Sequence, residues 1–373
     1  MNEPETSGPL PLSTEVQGLL SLHLVHGLGP RLTAALLERF GSAAAVLQTT
    51  PIDLARVPHI GEKLAQDLHQ AMRNVDLQPE MELLKRFQTR LLPLGSPGYP
   101  PSLAQISDPP PLLYMRGQWT DRDTNSVAVV GSRQCTAYGR RIAERLAEAL
   151  AHAGYTVISG LARGIDGAAH RGALRAGGRT IAVLAGGLSN IYPPEHAELA
   201  LEVQAAGALL SESSMAMMPL AVMFPARNRL ISGLSRAVVV VEAAEKSGAL
   251  ITARHAADQG KTVFAVPGPI DSAASGGAHR LLREGAILAR GVEDIVEELE
   301  GVSSSQQPLQ PAMPADLDHI QKRIWEYLAE QPRHFDELAR QLRTEIPELS
   351  RALMHLEMKK VVRRLPGNLY ERP

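Results

Sequence analysis

From Ser126 onward, short apolar runs alternate with stretches whose apolar residues recur at helical spacing. Val127–Val130, Thr156–Ser159, Thr180–Leu184, Ala208–Ser211, Ala237–Val241 and Thr262–Val266 are small, β-branched-rich runs. Continuous runs of this kind are the pattern of strands buried on both faces. Between the first two, Ile142, Leu146, Ala149 and Leu150 line one side of a helix that Gly154 closes. The alternation predicts an α/β fold: a doubly wound, mostly parallel sheet with helices on both faces. Nearly every run ends in Gly, Ser or Glu, so small residues and open amides fall along the sheet rim where such folds bind ligands.

The flanks read differently. Ser13 to Gln78 contains one pattern twice, with Val25–Pro30 leading into a helix from Arg31 and Val57–Gly61 leading into one from Glu62. Both resemble helix-hairpin-helix units, whose turn amides can face a backbone phosphate. Pro and Gly crowd residues 95–121, predicting a stiff connector with Leu112–Gly117 as a short edge strand. Near the C-terminus, apolar spacing predicts three helices followed by a hairpin around Pro366–Gly367, the plan of a winged helix. Its third helix carries Glu345, Glu348 and Glu357 beside Arg351, so protein contact competes with DNA contact; Lys359, Lys360, Arg363 and Arg364 are the phosphate candidates. The domain plan is a disordered tail (1–12), a helical domain (13–90), a Rossmann-like domain (91–300), a linker (301–315) and a winged-helix domain (316–373).

Composition narrows the function classes. Net charge of −2 gives no general support for a nucleic-acid partner, so any such role must rest on local clusters of Arg and Lys. The single cysteine, Cys135, excludes an internal disulfide framework and fits a reducing cytoplasm. No CxxC pair or dense His/Cys cluster suggests zinc, no apolar run reaches membrane-spanning length, and no metal or cofactor is expected.

Local clusters do exist. Gly131-Ser132-Arg133 follows the first strand, offering amides, a helix N-terminus and a guanidinium, a combination suited to phosphate. Arg227, Asn228, Arg229 and Arg236 form a local basic patch whose structural alternative is a helix start salt-bridged to Glu242 and Glu245. Lys246 precedes another small-residue helix start. No nucleophile and base stand at recognisable spacing; Asp166 and His170 come nearest and read as a helix-capping or structural pair.

These segments together resemble the DNA-processing protein A family (DprA, also called Smf). The matching stretches are VAVVGSR, SGLARGID with Ala169-His170, TIAVLAGGL with Tyr192-Pro193, FPARNRLISGLS, VVVVEA with SGALITA, and AVPG. The resemblance implies an extended Rossmann-like domain that binds single-stranded DNA, self-associates as a homodimer and helps load a RecA-type recombinase on incoming DNA in natural transformation. It implies nucleic-acid contacts by Gly131, Ser132 and Arg133, by Ser159, Gly160, Arg163 and Gly164, and by Arg227, Asn228 and Arg229. Where relatives often carry a basic residue and an Asn after Tyr-Pro, this chain has Pro194 and His196, leaving Tyr192 as a base-stacking group.

Three other readings compete. A nucleotide phosphoribohydrolase would carry a PGGxGTxxE signature, which is missing. A dinucleotide-dependent oxidoreductase would show GxGxxG and an acid after the second strand. A transcription regulator would read duplex DNA with the winged domain.

Overall fold

The computed structural model describes residues 12–301, 317–328, 333–342, 344–359, 361–365 and 367–371. The expected tail and linker, apart from Leu12 and Gly301, lie outside these residues, as do Lys360 and Pro366. The chain forms two compact units, Met1–Val302 and Ser303–Pro373.

The first unit opens with six helices: α1 (Thr14–Leu24), α2 (Pro30–Phe40), α3 (Ala43–Leu47), α4 (Pro51–Leu54), α5 (Glu62–Arg73) and α6 (Gln78–Arg86). Ser13, Ser42 and Thr50 accept helix-start amides through their hydroxyls, and prolines open α2 and α4, so local chemistry sets these boundaries. Val25–Gly29 joins α1 to α2 and Val57–Gly61 joins α4 to α5, giving the two expected hairpins around a core of Leu36, Val46, Leu54 and Leu68.

The sheet region follows in the order β1 (Arg90–Pro93), β2 (Leu112–Gly117), β3 (Ser126–Val130), α7 (Ala137–His152), β4 (Thr156–Ser159), α8 (Ile165–Arg175), β5 (Thr180–Val183), α9 (Ala197–Ala206) and β6 (Ala208–Ser211). It continues with α10 (Met223–Leu234), β7 (Ala237–Val240), α11 (Ala249–Asp258), β8 (Thr262–Ala265), α12 (Gly276–Arg283), β9 (Ile287–Leu288) and α13 (Val292–Glu300). Strand order is β1-β2-β6-β5-β4-β3-β7-β8-β9. The strands from β6 to β9 pair in parallel, whereas β1 and β2 extend the sheet antiparallel. Leu112–Gly117 is therefore not an edge strand: Tyr114 pairs with Leu91 on one side and Ser211 on the other, and β1 takes the edge.

Alternate residues of each strand feed opposite cores, as the pleat requires. Ala128, Ile158 and Val238 pack under Leu230, Ile231 and Leu250 of α10 and α11, while Val127, Val157 and Val239 pack under Leu146 and Leu150 of α7 and Ile295 of α13. A third cluster joins Leu20 of α1 and Leu84 of α6 to Tyr114, Leu209 and Met215, so the helical module is bonded to the sheet by burial. The chain winds outward from β3 to β6 and then returns beside β3 with β7. That reversal opens a crevice at the carboxyl ends of β3 and β7.

The second unit contains α14 (His319–Tyr327), β10 (Arg333–His334), α15 (Phe335–Leu342), α16 (Ile346–Met358), β11 (Arg363–Leu365) and β12 (Leu369–Glu371). Leu338, Leu349, Leu353 and Leu356 form its core with Ile324 and Tyr370. This is the expected winged helix, with β12 between β10 and β11.

Candidate nucleic-acid interface

The crevice is built from interlocked turns. After β3, the Ser132 amide donates to the Glu242 carbonyl at 2.7 Å, and the Ser132 carbonyl accepts from the Ile165 amide at 3.2 Å. Glu242 also accepts from the Thr136 amide at 2.9 Å and the Thr136 hydroxyl at 2.6 Å, fixing the N-cap of α7. Gly164 adopts φ of +76°, and a Cβ there would overlap the Ser132 carbonyl. The turns after β3, β4 and β7 thus brace one another. Arg133 is held at the crevice mouth.

The groove between them has a volume of about 860 Å³, toward the large end for a small-molecule site. Exposed Arg133 and Lys246 line it, with Ser132, Asn228, Ser247 and Gly248. A narrower slot adjoins it, between Gly160, Arg163, Asn190, Tyr192 and Arg227. Along the junction, cations and rings form a row. The Arg133 guanidinium stands 4.3 Å from the Phe224 ring centre, Tyr192 meets Phe224 edge-on at 6.1 Å, and Arg163 lies 5.9 Å from the Tyr192 ring. The two cation–ring contacts favour the charged side chain over the ring face. Arg163 also bonds to the Glu195 carboxylate, which raises the Arg163 pKa and lowers that of Glu195.

Arg227 forms the floor. It is only 4% exposed, its Nε has no hydrogen-bond partner, and burial lowers its pKa to about 10 against the pull of Asp166. Burial pushes the Asp166 carboxyl up, opposed by Arg227 and by the Ala162 amide, which donates to it at 3.4 Å. A buried cation with an unused donor is costly unless an anion or other acceptor completes it.

Nine of the sequence-derived residues line the groove or slot: Gly131, Ser132, Arg133, Gly160, Arg163, Tyr192, Arg227, Asn228 and Lys246. Three do not. Ser159 is buried and donates to the Val129 carbonyl at 2.7 Å, and Gly164 supports the turn from behind. Arg229 is engaged by Asp108 at 2.9 Å and Glu212 at 2.6 Å. The basic patch read along the chain is dispersed in space, because Arg236 donates to Asn125 and the Leu299 carbonyl. The acids that hold Arg229 are Asp108 and Glu212, in place of Glu242 and Glu245.

Asp166 and His170 do not pair. The His170 Nδ1–H donates to the Thr180 hydroxyl at 2.7 Å, which itself donates to the Val157 carbonyl, and burial lowers the His170 pKa to about 3. Among the described residues no three His, Cys, Asp or Glu side chains converge as metal ligands, and no helix is long and apolar enough to cross a membrane. In the winged unit, Arg363 is bonded to Glu371 and Arg364 to Asn368, so both cations are engaged within the wing. Phe224, Asn190, Pro219 and Met218 line the site without having been singled out as contacts. Phe224 was readable only as an apolar anchor of the Arg-rich stretch.

Residues 90–300 match the family model of DNA recombination-mediator protein A. The chain belongs to this family. Residues 307–368 match the DprA winged-helix domain, and residues 18–74 match a SAM-like helix-hairpin-helix tandem. Protein Smf of Synechocystis is 33% identical, with 93% of this chain and 96% of that protein covered. Protein Smf of Escherichia coli is 48% identical over 58% of each chain. The solved structure of DNA processing protein A from Streptococcus pneumoniae superposes with a TM-score of 0.68 at 33% identity, covering 77% of this chain and 99% of that one. A structure of the Helicobacter pylori protein, described for its single-stranded DNA binding mode, matches at TM-score 0.52 and 32% identity, covering 57% of this chain and 96% of that one.

Proposed function

We propose that the groove binds single-stranded DNA by its phosphates, and that the protein uses this grip to protect incoming strands and help load a RecA-type recombinase during transformation or DNA processing. The observation that carries the reading is the convergence of Arg133 and Lys246 with the polar side chains of Ser132, Asn228 and Ser247 on one groove at the crevice between β3 and β7. A run of separated donors suits successive phosphates, whereas one compact cofactor would need one compact site. The Helicobacter pylori relative, which binds single strands, adds support. On this reading the protein is a binding module and not an enzyme, works in the cytoplasm and acts as a homodimer. Residues 13–90 form its helical domain, 91–300 its DNA-binding domain, 301–315 a linker and 316–373 its winged helix.

Competition with unlabelled strands tests it. Excess single strand displaces labelled oligothymidine from the full chain while equal duplex does not, and Arg133→Ala weakens the complex. Equal displacement by duplex, or AMP hydrolysis by the purified protein, would overturn the reading in favour of a regulator or an enzyme. A strand-coating assay with a RecA-type recombinase, with and without the protein, tests the loading step.

A further inference from the structure

One wall of the groove is apolar, and neither the phosphate grip nor the sheet explains it. Between β6 and α10, the segment 214–222 carries Met217, Met218, Leu220 and Val222, which are 43%, 60%, 59% and 74% exposed. Large apolar side chains clustered on a surface generally mark a contact. Met218, Pro219 and Ala221 line the same groove as Arg133 and Lys246, next to Tyr192 and Phe224.

The segment is built, and its backbone is pinned from two sides. The Met215 amide donates to the buried Glu80 carboxylate of α6 at 2.7 Å, and the Met215 carbonyl accepts from the Ser189 hydroxyl at 2.6 Å and amide at 3.1 Å. The Met217 carbonyl accepts from the Gly187 amide at 2.8 Å, and the Ala216 carbonyl from the Asn190 side chain at 3.3 Å. Fixed main chain with exposed apolar side chains is a surface waiting for an apolar partner of defined position. Cations line the same groove, so a partner that fills it carries anionic and apolar groups together.

We infer that segment 214–222 is the base-side wall of the groove, with Met218 and Pro219 packing on unpaired nucleobases and thereby determining the preference for single strands. The inference rests on the proposed phosphate grip and adds its specificity. In a duplex the base faces are stacked on one another and cannot reach such a wall. In a single strand every base offers an apolar face, whatever its identity. Glu80 acts here as a positioning residue through Met215, which gives the helical module a part in binding.

The test compares oligothymidine with an abasic oligomer of equal length on the full chain, across a salt series, for the parent, Met218→Ser and Arg133→Ala. Met218 is exposed, so its substitution leaves the core intact. The wall variant loses about tenfold in affinity for oligothymidine and nothing for the abasic oligomer, with unchanged salt dependence. A wall variant that binds both oligomers as the parent does overturns the inference while the phosphate grip stands. If Arg133→Ala changes neither affinity nor salt dependence, the grip itself fails and the inference falls with it.

Discussion

Gly160 and Arg227 are packed so closely that a Cβ on residue 160 would overlap Nη1 and Cζ of the Arg227 guanidinium. Arg227 is buried beneath the slot, and its guanidinium must move to make room for that Cβ. Gly160→Ala therefore displaces the floor of the site without touching an exposed cation. The expected result is a loss of about tenfold or more in single-strand affinity, of the size that loss of a charge-assisted contact produces. Anisotropy titration checks it, and parent-like affinity would show that Arg227 has no part in binding.

Glu195 occupies the guanidinium of Arg163 at the slot entrance, on an exposed surface. Glu195→Gln removes that competitor. Affinity for single strands is expected to rise two- to threefold at low salt, roughly the value of one exposed ion pair, and the gain to vanish at high salt. Unchanged binding would mean that Arg163 stays out of phosphate reach.

Arg229 gives the opposite expectation to Arg133. Its side chain is 8% exposed and links Asp108 to Glu212, whose carboxyl burial already pushes up. Arg229→Ala leaves Glu212 without its cation and Asp108 with only the exposed Arg31 at 3.9 Å, at a cost of about 3 kcal/mol. Urea denaturation is expected to show that loss. The salt dependence of DNA binding by the folded fraction stays unchanged, and a reduced dependence would return Arg229 to the groove.

Two histidines, His170 buried and His23 half-buried, set an acid limit. Burial lowers the His23 pKa to about 4 and the His170 pKa to about 3. Both are depressed below the ordinary value near 6.5, so their stabilisation is present above that pH and is lost as pH falls toward 4. Each costs up to about 1.4 kcal/mol per pH unit over that window. Glu80 runs the other way, because burial raises its pKa and its contribution weakens as pH rises above the ordinary carboxyl value. Urea midpoints at neutral and mildly acid pH measure the net effect, and His23→Leu is expected to shrink the difference. An equal difference in that variant would contradict the assignment.

Much of this architecture was legible because β-branched runs and Gly-terminated turns are local signals. VAVVGSR, SGLARG and the run before Glu242 became neighbouring strands whose turns meet at one crevice. Two features were not legible, for a geometric reason. Arg227 and Arg229 are adjacent in the patch, yet two steps along an α-helix turn about 200°, which sends one guanidinium under the slot and the other to Asp108 and Glu212. Helical spacing was the available signal. The place of β2 inside the sheet depends on β1, whose residues 90–93 carry no strand pattern beyond two leucines and pair only through a distant antiparallel register. The apolar wall was equally hidden, since nothing in the sequence marks Met218 and Pro219 as exposed along the groove.

The central claim is that exposed groove cations hold the phosphates of a single strand, and the salt dependence of oligothymidine binding tests it most directly. Arg133, Arg163 and Lys246 are the exposed cations on the site. For single strands the slope of log affinity against log salt is about −0.7 per phosphate neutralised, so three contacts give about −2 per groove. Arg133→Ala is expected to weaken binding and flatten the slope by about 0.7. A parent slope near zero, or an Arg133→Ala slope equal to the parent's, would contradict the account.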